Sequence, residues 1–105
     1  MTGTASQIEW AEQIKQRVYV EFNRVAGALE GAARKQSDRD RMDTMAIIAI
    51  VQEKRAEVMA KDEAGYFIRD WQELRDQVRQ ILGRDPGYQA IKMRREARGR
   101  EELIT

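Results

Sequence analysis

The chain has no cysteine and no histidine in 105 residues, and these two absences exclude more than any motif present implies. Without cysteine there is no disulfide, no thiolate nucleophile and no thiolate metal ligand. Without histidine the chain lacks the side chain that ordinarily titrates near pH 7 and the commonest metal ligand. The sequence therefore reads as a non-enzyme with no cofactor and no metal. Long apolar runs are also missing. Met45-Ala46-Ile47-Ile48-Ala49-Ile50-Val51 carries no polar side chain, but a bilayer span needs about 20 apolar residues, so no membrane partner is expected. The opening Met-Thr-Gly-Thr-Ala-Ser has neither a charged nor an apolar leader segment, and a reducing cytoplasm is the expected compartment. Neither charge sign dominates: 19 basic residues face 18 acidic ones, so no global field draws the chain to nucleic acid.

What is abundant is helix-forming. There is one proline among seven glycines, and Ala, Glu, Gln, Arg, Met and Leu fill most positions. The expected fold is all-α: a three-helix bundle over residues 1–83, followed by a basic C-terminal segment over 84–105, a short helix or a tail, that is weakly held or extended. Thr4 with Gln7, or Ser6 with Glu9, forms a capping box for helix one. Its core stripe is Ala11, Ile14, Val18, Phe22, Val25 and Leu29, at steps of three and four. Ser37 caps helix two, which ends near Lys61. Asp62 caps helix three, whose stripe runs Phe67, Trp71, Leu74, Val78, Ile81 and Leu82. Gly83 closes that helix, and Asp85-Pro86-Gly87 makes a turn that stops it. Tyr88, Ile91, Leu103 and Ile104 are the docking residues of the last segment.

Helix two is apolar on two sides. Met45, Ile48, Ala49, Ala56 and Met59 share one face, while Ile47, Val51 and Val58 fall nearly opposite. A surface helix of a simple bundle needs one stripe. The second face therefore predicts a central helix or cover by a second copy of the chain, a homodimer. The rival reading is a short strand, because Ile47, Ile48, Ile50 and Val51 are β-branched.

Chemistry-bearing clusters reduce to surface features. Asp38, Asp40 and Asp43 begin like a calcium loop, but its glycine and terminal glutamate positions hold Asp43 and Ala49. Glu53 and Glu57 stand one turn apart without the histidine that helical carboxylate metal sites add. A helix-turn-helix around Gly83 conflicts with Arg79, Arg84, Gln89 and Lys92 at inward places. Two surfaces remain. Trp10 and Tyr19 flank the core stripe of helix one and, with Ile47, Val51 and Val58, form the expected protein interface, since Trp, Tyr and Arg dominate binding hot spots. Lys92, Arg94, Arg95, Arg98 and Arg100 against Glu96 form the alternative, a non-specific nucleic-acid contact.

The opening Ser6-Gln7-Ile8-Glu9-Trp10-Ala11-Glu12-Gln13-Ile14-Lys15 resembles a motif of small helical bacterial and phage mobile-element proteins, roughly Lys-Gln-Ile-x-Trp-Ala-Glu-x-Ile-Arg/Lys. Ala64-Gly65-Tyr66-Phe67-Ile68-Arg69-Asp70-Trp71 resembles the aromatic stretch that follows it there, with Ser6 and Arg69 departing from the pattern. The resemblance implies a helical accessory protein that modulates or inhibits a partner complex, and it supplies no catalytic residue.

Overall fold

A computed structural model describes residues 1–104, with side chains to residue 101. The described residues form an all-α protein of five helices: α1 (Ala5–Ala33), α2 (Asp38–Met59), α3 (Ala64–Asp70), α4 (Leu74–Gly83) and α5 (Pro86–Ile104). The molecule is a rod of 61 × 23 × 18 Å, so its core is one seam between helices. Leu103 and Ile104, the expected terminal docking residues, lie outside the described side chains.

α1 starts where the local chemistry puts it. The Thr4 hydroxyl accepts from the Gln7 amide at 3.2 Å while the Thr4 amide donates to Gln7 Oε1 at 3.0 Å, a complete capping box. α2 folds back antiparallel to α1 after a short connector. Arg41 holds that corner by donating to the carbonyls of Ala33 (2.9 Å) and Gln36 (3.0 Å). The same corner buries Thr44, whose hydroxyl donates to Gln36 Oε1 at 2.6 Å. Farther along, Arg55 of α2 donates to Asn23 Oδ1 at 2.6 Å. The strand alternative for residues 47–51 is thereby replaced by helix.

The expected third helix is two helices. Trp71 leaves helical geometry (φ −116°, ψ 38°), and α4 restarts at Leu74. No glycine or proline marks the break; the ring of Trp71 turns into the core and meets Phe22 edge-on, with centroids 5.9 Å apart. Asp62 does not cap α3. The cap position is Glu63, with no side-chain hydrogen bond; the Asp62 carboxylate pairs instead with the N-terminal amine of Met1 at 3.0 Å, and its carbonyl accepts from the Thr2 amide at 2.9 Å. The Ala64 amide in turn donates to the Thr2 carbonyl at 2.9 Å, pinning the start of the chain beside α3.

The helix before Pro86 ends at Gly83 as expected, but Pro86 and Gly87 open the next helix instead of forming a turn. Pro86 is the first residue of α5, where its missing N–H costs nothing and its fixed φ suits the first turn. Asp85 supplies the cap, accepting from the Tyr88 amide at 3.0 Å. The segment expected to be weakly held is thus a helix with Ile91 in the common core.

α5 runs antiparallel to α2 and covers it. Ile47, Val51 and Val58 are buried within this chain, at 8 %, 1 % and 4 % exposure, whereas Met45 is 52 % exposed and Ala49 and Ala56 face solvent. The second face expected from the sequence is therefore the inward one, while of the first face Ile48 is buried, Met59 is half-buried, and Met45, Ala49 and Ala56 are exposed. No second chain is needed over Ile47, Val51 and Val58, because α1, α4 and α5 fill that side.

Gly27 and Gly31 sit inside α1 with open space where a side chain would stand. Glycine in a helix interior costs about 0.5–1 kcal/mol relative to alanine. Gly27→Ala should therefore raise stability by about that amount, read as a shifted denaturant midpoint at unchanged slope.

Candidate functional site

The five side chains of the expected protein interface are not one surface. Ile47, Val51 and Val58 are core residues. Tyr19, 46 % exposed, stands on the α2 side of α1 with the Arg55 guanidinium 5.6 Å from its ring centroid. Trp10, 56 % exposed, stands on the other side. Two consequences follow. Tyr19 is already engaged inside the chain, and Trp10 must be judged with its own neighbours.

Those neighbours form a second stripe on α1. Trp10, Gln13, Arg17, Val20, Arg24 and Ala28 follow one another at steps of three and four, hence on one side of the helix. All six are exposed, with Val20 at 59 %, and half-buried Gly31 extends the row. The row contains no carboxylate, in a chain that is 35 % charged. Along α1, Glu12 and Glu30 lie on another face, while Glu9 and the buried Glu21, which is bonded to Arg24, stand at the two edges of the row.

The stripe borders a groove between α1 and α4. The groove encloses roughly 310 Å³. Its floor is apolar, from Val25, Ala28 and Leu29 of α1 with Val78 and Leu82 of α4, and its rim carries Arg24, Arg75 and Arg79. Glu21 is the single carboxylate among the lining residues, so three positive charges against one leave +2. Glu21 is buried and doubly bonded to Arg24, with Nε to Oε1 and Nη2 to Oε2 both at 2.7 Å. That hydrogen-bonded pairing holds the Glu21 carboxyl below its ordinary range against the opposing effect of burial, with Arg24, Arg75 and Arg79 adding attraction through space. Arg75 makes no salt bridge among the described residues, and Arg79 has only a 3.7 Å contact with Asp76 while remaining 79 % exposed.

The basic segment has a different fate from the one its charge suggests. Arg94 donates to Asp43 Oδ1 at 2.5 Å, and Arg98 bonds Asp43 Oδ2 and lies 3.5 Å from Asp40 Oδ1. Asp43 is 5 % exposed. The hydrogen bond from Arg94 is the main cause holding its carboxyl below the usual range; burial opposes it and Arg98 reinforces it. At the start of α5, Lys54 of α2 reaches Asp85 Oδ2 at 3.2 Å. The Asp85 carboxyl is lowered chiefly by the Tyr88 amide and then by Lys54. Two of the five cations expected to meet phosphate are therefore spent on docking α5, which leaves Lys92, Arg95 and Arg100. Of the acidic residues read as a failed metal loop, Asp40 and Asp43 are the other half of that dock, while Asp38 pairs with Arg41 in its own helix. No group of three or more metal-ligating side chains occurs among the described residues.

The sign of the pH response follows. Glu21, Asp43 and Asp85 all titrate below their unfolded values, so each pairing contributes in full above the ordinary carboxylate range, near pH 4. The contribution is lost as pH falls through the depressed native values. The melting temperature should be flat from pH 8 to about 5 and drop below about 4.5, with a smaller acid drop in Asp43→Asn.

Comparison with protein-family models, with curated proteins and with solved structures found no match. No described helix is long and apolar enough to cross a membrane.

Proposed function

We propose that this protein is a non-enzymatic binding module that contacts another protein through the outer side of α1 and the adjoining α1–α4 groove. One observation carries the reading: an exposed row with tryptophan, arginine and valine but no carboxylate, on a helix whose opposite side is anchored in the core. Tryptophan and arginine contribute most to interface hot spots, and a rigid helix presents them with little ordering cost on binding. The resemblance of Ser6–Lys15 to mobile-element proteins adds a setting, an accessory protein that modulates a partner complex. Self-association has no part in this reading, since the α2 face that motivated a dimer is filled from within the chain.

The test is capture of partners from lysate of the encoding organism by the full chain, with and without nuclease, at roughly 50 and 200 mM salt. A discrete protein retained after nuclease and at both salts supports the module. Recovery abolished by nuclease, with the steep salt response of phosphate contacts, moves the function to nucleic acid and to Lys92, Arg95 and Arg100.

A further inference from the structure

We infer that the α1–α4 groove is a receptor for an acidic amphipathic helix of the partner protein, an inference that rests on the binding-module reading and specifies the chemistry of its ligand. The floor is aliphatic: Val25, Leu29, Val78 and Leu82 are buried or half-buried, and Ala28 keeps the α1 wall low. Such a trough accepts leucine-sized side chains at helical spacing, which is how amphipathic helices dock into grooves. The rim decides the sign of the ligand. Arg24 on the α1 wall is bonded to Glu21. Arg75, with no salt bridge among the described residues, and Arg79, with only the 3.7 Å contact to Asp76, stand one turn apart on the α4 wall and offer sites for carboxylates.

The same features argue against other occupants. A nucleic acid would satisfy the arginines but leave the aliphatic floor unused, and no lining residue is aromatic for a base to stack on. The acidic apolar face of a second copy, Met42, Met45, Ala49 and Ala56 of α2 beside Glu53 and Glu57, offers methionine and alanine rather than leucine-sized aliphatic side chains, and a monomer in sedimentation of the chain alone decides against it.

The probe is a synthetic helix of roughly 18 residues, five turns, with leucine at helical spacing and glutamate on both flanks. Its counterpart carries lysine on the flanks. Each is titrated into the isotope-labelled full-length protein while methyl resonances are followed. The glutamate peptide should bind below about 1 mM and shift Val25, Leu29, Val78 and Leu82. The lysine peptide, and the glutamate peptide against Arg75→Glu/Arg79→Glu, should bind about ten-fold more weakly. Both arginines are solvent-exposed, and the milder Arg75→Gln/Arg79→Gln guards against a folding artefact by giving an intermediate loss. Equal affinity for the two peptides, shifts centred elsewhere, no saturation, or groove shifts with a 20-nucleotide DNA (roughly two helical turns of duplex) would overturn the inference. If that happens while a protein is still captured after nuclease, protein binding stands and its contact lies outside the groove. If capture also fails, the module reading falls with it.

Discussion

Phe22→Ala should cost about 3–5 kcal/mol, on a total that for a chain of this size is only about 5–15 kcal/mol. Phe22 is fully buried and sits where α1 meets the break between α3 and α4, edge-on to Trp71. Truncation removes the transfer energy of the ring and leaves a void that a thin rod is poorly able to close. It also strips the contact that holds Trp71 in its non-helical geometry, so α3 and α4 should lose protection from hydrogen exchange together. Equilibrium unfolding of the variant by circular dichroism checks the magnitude. A loss below about 1.5 kcal/mol would mean that the seam is not built around this ring.

Asp43→Ala should have an effect of similar size and a different distribution. It leaves Arg98, whose side chain is 13 % exposed, as a nearly buried charge with only the longer contact to Asp40. Removing one partner of such a pair costs about 3 kcal/mol. The damage should concentrate in α5: its amides beyond Ile91 should exchange rapidly, while α1 and the first turn of α5, held by Lys54 and Asp85, stay protected. Replacing the group by a matched apolar set, Asp43→Leu with Arg94→Met and Arg98→Met, should recover much of the loss, since the charges mainly satisfy one another. Uniform destabilisation of all helices would contradict the account of Asp43 as the dock for α5.

These two residues mark what was legible in the sequence and what was not. Phe22 lies in a stripe whose spacing and cap are local, so α1 was readable from Thr4 to Leu29. Asp43 was unreadable as a core residue because its partners are 51 and 55 positions away. Charged residues at Asp40, Asp43 and Lys54 disguised the inward side of α2, so the hydrophobic pattern could not say which of its two apolar faces turned in. Pro86 was misread because a proline that ends one helix and a proline that begins the next look alike without knowing whether Asp85 caps. The break at Trp71 carries no local signal at all, being set by packing against Phe22.

The candidate site divides the same way. The α1 row from Trp10 to Ala28 was available from spacing alone, and its lack of carboxylates was the signal that could have found it. The groove was not available, because Arg24 and the pair Arg75 and Arg79 are brought together only by the packing of α4 on α1. The α2 face that does remain exposed, with Met42 at 74 % and Met45 at 52 %, is the natural competitor for a partner, since methionine adapts to many surfaces.

That competition defines the most direct test of the central claim, that the outer side of α1 is the contact surface. Nuclease-treated lysate is passed over the full-length protein, over Trp10→Ala/Val20→Glu and over Met42→Ala/Met45→Ala, each first shown to be folded by its circular dichroism. The account predicts that the captured partner is lost with the α1 variant and retained by the α2 variant. Retention by the α1 variant, with loss by the α2 variant, would contradict it.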